Sequence, residues 1–244
     1  MSDKACTHCK HDLLAVLSHE LRNPLSALNN GLYVLKRLLS EDARSFRAVA
    51  VMDRQIRHMT ALIDSLGEAA GLGRGDVELH LVLVDLVELV HDACLDHEHL
   101  FASHEIDLRD ELPRDATRVL GDPMRLTQVV GNLLQNAVRF TPAGGHVVVA
   151  LEHDQEARCA RIRVKDSGVG LSEGLRARLF EPFTQADASL AHTVGGLGLG
   201  LAVVKGIVGL HGGSVRAECE GPGQGTTFIV ELPCADGETG GAGP

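Results

Sequence analysis

The chain has no Trp, one Tyr and six Phe among its 244 residues. So few aromatic rings leave little material for stacking nucleic-acid bases. An excess of positive charge is also missing. Lys and Arg number 23 against 33 Asp and Glu, for a formal net charge of -10 and a pI of about 5.7. That balance argues against a general phosphate-backbone binder, and no nucleic-acid partner is expected. Long apolar runs are absent too. The best one, Leu197 to Leu210, is broken by Lys205, rich in Gly and too short to span a bilayer. No membrane insertion is expected. Residues 1–12 are polar, no signal peptide is read there, and a cytoplasmic location is expected. The six Cys are scattered, which suits reduced thiols better than a disulfide framework. Cys6, His8, Cys9 and His11 lie close in sequence but have no second half at the usual separation. They read as a frayed N-terminal helix rather than a zinc site.

What is present divides into two textures. Leu21, Leu25, Leu28, Leu32, Leu35 and Leu39 step by fours and threes, as do Val49, Met52, Ile56, Met59, Ile63 and Leu66. Both are heptad seams. Ser40, Glu41 and Asp42 supply a short turn between them, giving an antiparallel hairpin. A lone hairpin cannot cover two apolar stripes, so a homodimer forming a four-helix bundle is expected. Residues 67–75 (GEAAGLGRG) break the pattern and read as a linker. From 76 onward the pattern is α+β. Strands are expected at 77–83, 105–109, 146–152, 159–166, 213–219 and 226–232. Helices are expected at 85–101, from Pro123 to about Thr141, at 172–180 and at 199–211. The organisation is therefore a helical hairpin at 1–70, a linker at 71–75, a mixed-sheet domain at 76–234 and a disordered tail at 235–244.

Four constellations carry chemistry. In residues 17–25, His19 and Asn23 are i,i+4 neighbours on one helical face, and Pro24 loosens the helix beside them. A Pro inside a heptad repeat costs roughly 3 kcal/mol, which favours a functional reading over a solvated surface histidine. A neutral imidazole is nucleophilic near pH 7, and Glu20 is placed to fix its tautomer. In the helix from Pro123, Asn132, Asn136 and Arg139 form a polar stripe opposite Leu133, Leu134, Ala137 and Phe140. An amide oxygen suits Mg²⁺ and a guanidinium suits phosphate, whereas a plain solvated face accounts for one Asn more easily than for two and an Arg in register. Asp166, Gly168 and Gly170 follow a strand. There a carboxylate can accept from the amino group of adenine, and the glycines let backbone pass close to a flat base; alone the pattern could also be a turn. Gly195, Gly196, Gly198 and Gly200 open a helix and offer N–H groups to phosphates, without the βαβ context of a Rossmann fingerprint. Between these motifs Phe180 and Phe183 anchor either a lid over 184–194 or simply the core.

Together these segments resemble, in order and spacing, the transmitter region of bacterial sensor histidine kinases over about residues 10–234. SHELRNPL looks like the H box, NLLQNAVRFT the N box, DSGVGL the G1 box, FEPF the F box and GGLGLGLAVVKGIVGLHGG the G2 box. The resemblance implies an N-terminal helical hairpin forming a dimeric four-helix bundle, followed by an α/β-sandwich ATP-binding domain of the Bergerat type. It implies ATP and Mg²⁺ as cofactors. His19 would be the phosphoacceptor, Glu20 its acid/base partner, and Asn23 the position linked to dephosphorylating a response regulator. Asn136 would hold Mg²⁺, Arg139 would touch phosphate, Asp166 would select adenine, and Thr226 would lie near Asp166. The implied partners are a second copy, the receiver domain of a response regulator and a separate sensory protein. Two departures stand out. The stretch from Ala188 to Thr193 holds no Lys or Arg, only His192, and only 17 residues precede the H box. The competing reading is a nucleotide-binding dimer that does not autophosphorylate and acts as a phosphatase or scaffold.

Overall fold

The structure, a computed structural model, describes residues 77–154, 156–184 and 198–235, with selected positions between 21 and 72. The chain divides into two compact units, Met1–Val77 and Glu78–Pro244.

In the first unit every described position from 21 to 72 is helical. Leu25, Leu32, Val49, Ile56 and Ile63 form one buried cluster. The intervening seam residues behave otherwise: Leu28 is 56% exposed and Met52 54%, and Leu21 and Met59 are exposed as well. Buried and exposed positions thus alternate along each seam up to Ile63, and Leu66 after it is buried as well.

The second unit is a two-layer α+β domain. Its elements are β1 (Val82–Asp85), α1 (Leu86–Ser103), β2 (Asp107–Glu111), β3 (Arg118–Gly121), α2 (Pro123–Phe140), β4 (His146–Asp154), β5 (Cys159–Asp166), α3 (Glu173–Arg178), α4 (Gly200–Leu210), β6 (Ser214–Glu218) and β7 (Thr226–Pro233). Five strands form one sheet in the order β2-β4-β5-β7-β6. The β2–β4 pair is parallel and the rest are antiparallel. Val147, Val149, Leu151, Ala160, Ile162, Val164, Phe228 and Val230 are buried on the inner face. There they join the apolar stripes of α2 and α4, Leu126 to Val138 and Val203 to Val208. The outer face is charged: Arg161 pairs with Glu231 at 2.9 Å, and Arg216 pairs with the same carboxylate at 2.9 Å.

Two boundaries differ from the sequence reading for physical reasons. The alternation at 77–83 yields a ladder only from Val82, because its partner β3 is four residues long and gives way at Asp122 to a helix. Asp122 then takes the His80 N–H instead, at 3.1 Å. The strand expected at 105–109 begins at Asp107, because α1 closes with a Schellman turn. Ile106 N–H donates to Phe101 O and Glu105 N–H to Ala102 O, with Glu105 at φ 57°. Phe101 and Ile106 are both buried, which supplies the apolar contact of that motif. β3 itself carried no recognisable signal. It is a short pairing partner for β1, and its Arg118 carbonyl also accepts the Ala235 N–H at 3.0 Å. The bonded backbone therefore runs one residue past 234, while residues 236–244 lie outside the described residues.

Candidate functional site

Asp122 caps α2, accepting from Arg125 N–H at 3.2 Å, and Pro123 occupies the first turn. That start sets the phase of the whole helix. Leu126, Val129, Val130, Leu133, Leu134 and Ala137 go into the core, and Asn132, Asn136 and Arg139 are left half-buried along one edge. Burial lowers the Arg139 pKa from its usual value, but a guanidinium remains charged in any protein setting. Its planar group lies over the Phe140 ring, 5.8 Å from the centroid.

Asp166 is the last residue of β5 and is 4% exposed. Its Oδ1 accepts the Gly168 N–H at 2.8 Å and the Thr226 N–H at 3.1 Å. Among the described residues neither donor goes to Oδ2, which leaves that oxygen to accept from a bound group. Burial raises the carboxyl pKa above its ordinary value, and the two backbone N–H groups only partly offset this. A carboxylate kept charged at such a cost, with one oxygen committed to backbone, is an acceptor of fixed direction. Thr226 is its register partner across β5 and β7 and is itself buried.

The loop after Asp166 is packed from both sides. Val169 N–H donates to Phe140 O at 3.1 Å, tying the loop to the end of α2. Gly223 N–H reaches Val169 O at 2.7 Å, and Gly225 N–H reaches Gly168 O at 3.1 Å. Side chains do not fit here. A Cβ on Gly168 would lie 2.4 Å from Phe140 O, and one on Gly170, at φ +69°, would lie 2.2 Å from Gly221 O.

The third part is the start of α4. Among the described residues no side chain caps it, and uncapped N–H groups at a helix start suit an anion. A Cβ placed on Gly200 would lie 4.0 Å from the Asn132 amide, so the glycine motif and the Asn stripe meet. Phe183 N–H donates to Gly198 O at 3.1 Å, bringing together the two ends that flank residues 185–197. Phe183 is 48% exposed at φ 65°, so it is not core.

The structure thus gathers Asp166, Gly168, Gly170 and Thr226 around one packed loop, and separately sets Gly200 beside Asn132 and Gly198 beside Phe183. Asn136 and Arg139 stand on α2 between Asn132 and the Phe140 carbonyl that the loop grips. His19, Glu20, Asn23, Gly196 and His192 lie outside the described residues, as do Cys6, His8, Cys9 and His11. The sequence reading missed the loop Gly221–Gly225, which carries half of the packing around Gly168 and Gly170. Its Gly-Pro-Gly-Gln-Gly run immediately before Thr226 was the available signal. Cys219 was missed as well; its Sγ accepts from Leu171 N–H at 3.2 Å and donates to Gly225 O at 2.9 Å. Among the described residues no group of three or more His, Cys, Asp and Glu is arranged to hold a metal ion, and no helix is long and apolar enough to cross a membrane.

Comparisons with known proteins identify the family. The family model for the histidine kinase-, DNA gyrase B- and HSP90-like ATPases matches residues 121–236, and that for the His Kinase A phosphoacceptor domain matches residues 9–70. The chain is 33% identical to the signal transduction histidine-protein kinase BaeS of Escherichia coli, over 92% of this chain and 47% of that protein. It is 32% identical to the adaptive-response sensory kinase SasA of Parasynechococcus marenigrum, over 95% of this chain and 58% of that one. Among solved structures, full-length ShkA in complex with AMPPNP is 31% identical at a TM-score of 0.80, covering 92% of this chain and 46% of that one. The catalytic domain of the histidine kinase ThkA is 29% identical at a TM-score of 0.55, covering 63% of this chain and 95% of that domain. The chain spans about half the length of the curated relatives it matches, or less.

Proposed function

The chain belongs to the sensor histidine kinases, and from that premise we propose that it is an ATP-dependent protein-histidine kinase. It phosphorylates itself on His19 and passes the phosphoryl group to an aspartate of a response-regulator receiver. The observation that carries this reading is the buried carboxylate of Asp166, one oxygen held by two backbone donors, at the end of a strand that leads into Gly168 and Gly170. A bound adenine amino group donates to the other oxygen. Gly168 and Gly170 flank the base, and the N–H groups at the start of α4 receive the phosphates with Arg139 alongside.

The residues present fit a magnesium ion carried on the nucleotide. Asn136 offers a half-buried amide oxygen, and a hard ion that keeps most of its waters needs few protein ligands. Mg²⁺ would offset charge on the transferring phosphoryl group. His19 supplies the nucleophile: one ring nitrogen bonds to the γ-phosphorus as the bond to ADP oxygen breaks. The proton on the other nitrogen is held, then taken, by Glu20. Asn23, one turn on, serves the hydrolysis by water that dephosphorylates the receiver aspartate. In this reading residues 1–70 are the phosphotransfer hairpin, 71–75 the linker, 76–234 the ATP-binding domain and 235–244 a tail, in a cytoplasmic protein.

The experiment is incubation with γ-labelled ATP and Mg²⁺. Wild type is expected to take up label that is acid-labile and base-stable, and His19→Ala to take up none while still binding ATP. Label that survives His19→Ala would refute the site. ATP binding without any label in wild type would favour the phosphatase or scaffold reading.

Dimerisation is part of the proposal and rests on the outward stripe of Leu21, Leu28, Met52 and Met59. Each such side chain buried at a seam contributes about 1.5–3 kcal/mol. Leu28→Glu is therefore expected to weaken the dimer by at least about tenfold in sedimentation velocity. An unchanged dimer would show that the stripe is not the interface.

A further inference from the structure

We propose that His211 is a positioning residue that sets the alignment of α2 against α4, and through it the phosphate end of the nucleotide site. The inference rests on the reading of that site as an ATP site. His211 follows the last residue of α4 and is 89 residues from Asp122 in sequence, yet the Asp122 N–H donates to its Nε2 at 3.0 Å. On the other side of the ring, Nδ1 lies 2.8 Å from the Ile207 carbonyl. A carbonyl can only accept and an amide N–H can only donate. The partners therefore fix the ring as the neutral form with its hydrogen on Nδ1. Locked to its own helix by one nitrogen, the imidazole holds the N-cap residue of the neighbouring helix with the other.

The geometry around this link is tight. A Cβ on Gly121 would lie 3.2 Å from the ring carbon Cδ2, 3.4 Å from Nε2 and 2.6 Å from a Leu126 methyl, so the ring is seated directly on the turn between β3 and α2. Asp122 is itself committed on both sides, accepting from His80 and Arg125 N–H groups.

The two helices run in opposite directions. The end of α4 meets the start of α2 at His211–Asp122, and the start of α4 meets the middle of α2 at Gly200–Asn132. Along either helix these two meeting points are about 15 Å apart at 1.5 Å per residue. The apolar stripes between them, Val203, Val204, Ile207 and Val208 against Leu126 to Leu134, resist separation, but such contacts are non-directional and tolerate sliding. A directional hydrogen bond at the far end supplies what they lack: a fixed register. If the link is lost, α4 is free to shift along α2. The glycine-opened end, whose N–H groups must meet phosphates while Asn132 and Asn136 stay in place, then loses its alignment.

The test separates binding from chemistry. In the full-length chain, His211→Phe keeps ring volume and removes both bonds. The Kd for AMPPNP·Mg²⁺ by calorimetry and the KM for ATP are both expected to rise about tenfold. The kcat of autophosphorylation at saturating ATP is expected to stay within about twofold. A lower unfolding temperature with unchanged Kd and KM would show a merely structural role and overturn the inference. Should His211→Phe not fold, His211→Leu decides, because it too removes both bonds, in a smaller and more flexible side chain. A Kd raised several-fold supports the link, and an unchanged Kd refutes it. Wild type that binds no AMPPNP at all would instead refute the nucleotide reading, a failure distinct from either of these.

Discussion

Asp166→Asn is expected to abolish useful ATP binding while leaving the domain at least as stable as wild type at pH 7. The two effects separate because the carboxylate is costly in the unliganded fold. Burial raises its pKa, so its contribution to stability is fully present below the ordinary carboxylate value and is lost as pH rises through the higher folded value. At neutral pH the charge is a burden, and an amide removes it. The Asn carbonyl can still accept from the Gly168 and Thr226 N–H groups at the Oδ1 position. Its NH₂ is then forced to the Oδ2 position, where it opposes the amino group of adenine, donor against donor. A lost charge-assisted bond plus an unsatisfied buried donor amounts to about 2–4 kcal/mol, roughly 30- to 1,000-fold in Kd. Calorimetric titration with AMPPNP and a thermal melt at pH 7 check both halves. Retained affinity would show that Asp166 is not the base acceptor. By the same sign, acidification of wild type weakens nucleotide affinity as the carboxylate protonates, and this begins at a pH above the ordinary 3.8.

The second large effect belongs to Gly170→Ala. Two costs add at this position. An L residue at φ +69° gives up about 1–2 kcal/mol. Its methyl would also stand 2.2 Å from Gly221 O, a backbone atom that cannot rotate away. The loop Gly221–Gly225 must move, and it is bonded to Val169 and Gly168 and leads directly into Thr226. A destabilisation of about 3 kcal/mol is expected, lowering the melting temperature by roughly 6–12 °C, with nucleotide binding lost alongside. Gly174→Ala is the internal comparison. It lies in α3 with nothing within 4 Å of the added methyl, so it should be neutral or slightly stabilising. Equal melting temperatures for the two variants would contradict the account of the packed loop.

The contrast between these glycines shows why some of the site was legible in the sequence and some was not. The start of α2 is announced locally by Asp122–Pro123, and its 3.6-residue phase then places Asn132, Asn136 and Arg139 without reference to anything else. Asp166 was readable because the alternation of β5 ends on it. The heptads likewise announced which positions are apolar, though not that Leu25 and Leu32 are covered within the hairpin while Leu28 is not. The missed features are all long-range. β3 exists because β1 needs a partner, the Gly221–Gly225 loop matters because it lands on Gly168 and Gly170, and His211 reaches Asp122 across the fold. A four-residue strand or a single histidine carries no period from which such pairing could be read.

The whole reading requires that phosphate held by the second unit reach one imidazole in the first. Mapping the label by proteolysis and mass spectrometry under alkaline conditions, after incubation with γ-labelled ATP and Mg²⁺, tests that most directly. The account predicts a single phosphorylated peptide containing residues 17–25, with the modification on His19, and none from Asp166→Asn. Phosphate found on another residue, or on His19 in the Asp166→Asn protein to the same extent as in wild type, would contradict it.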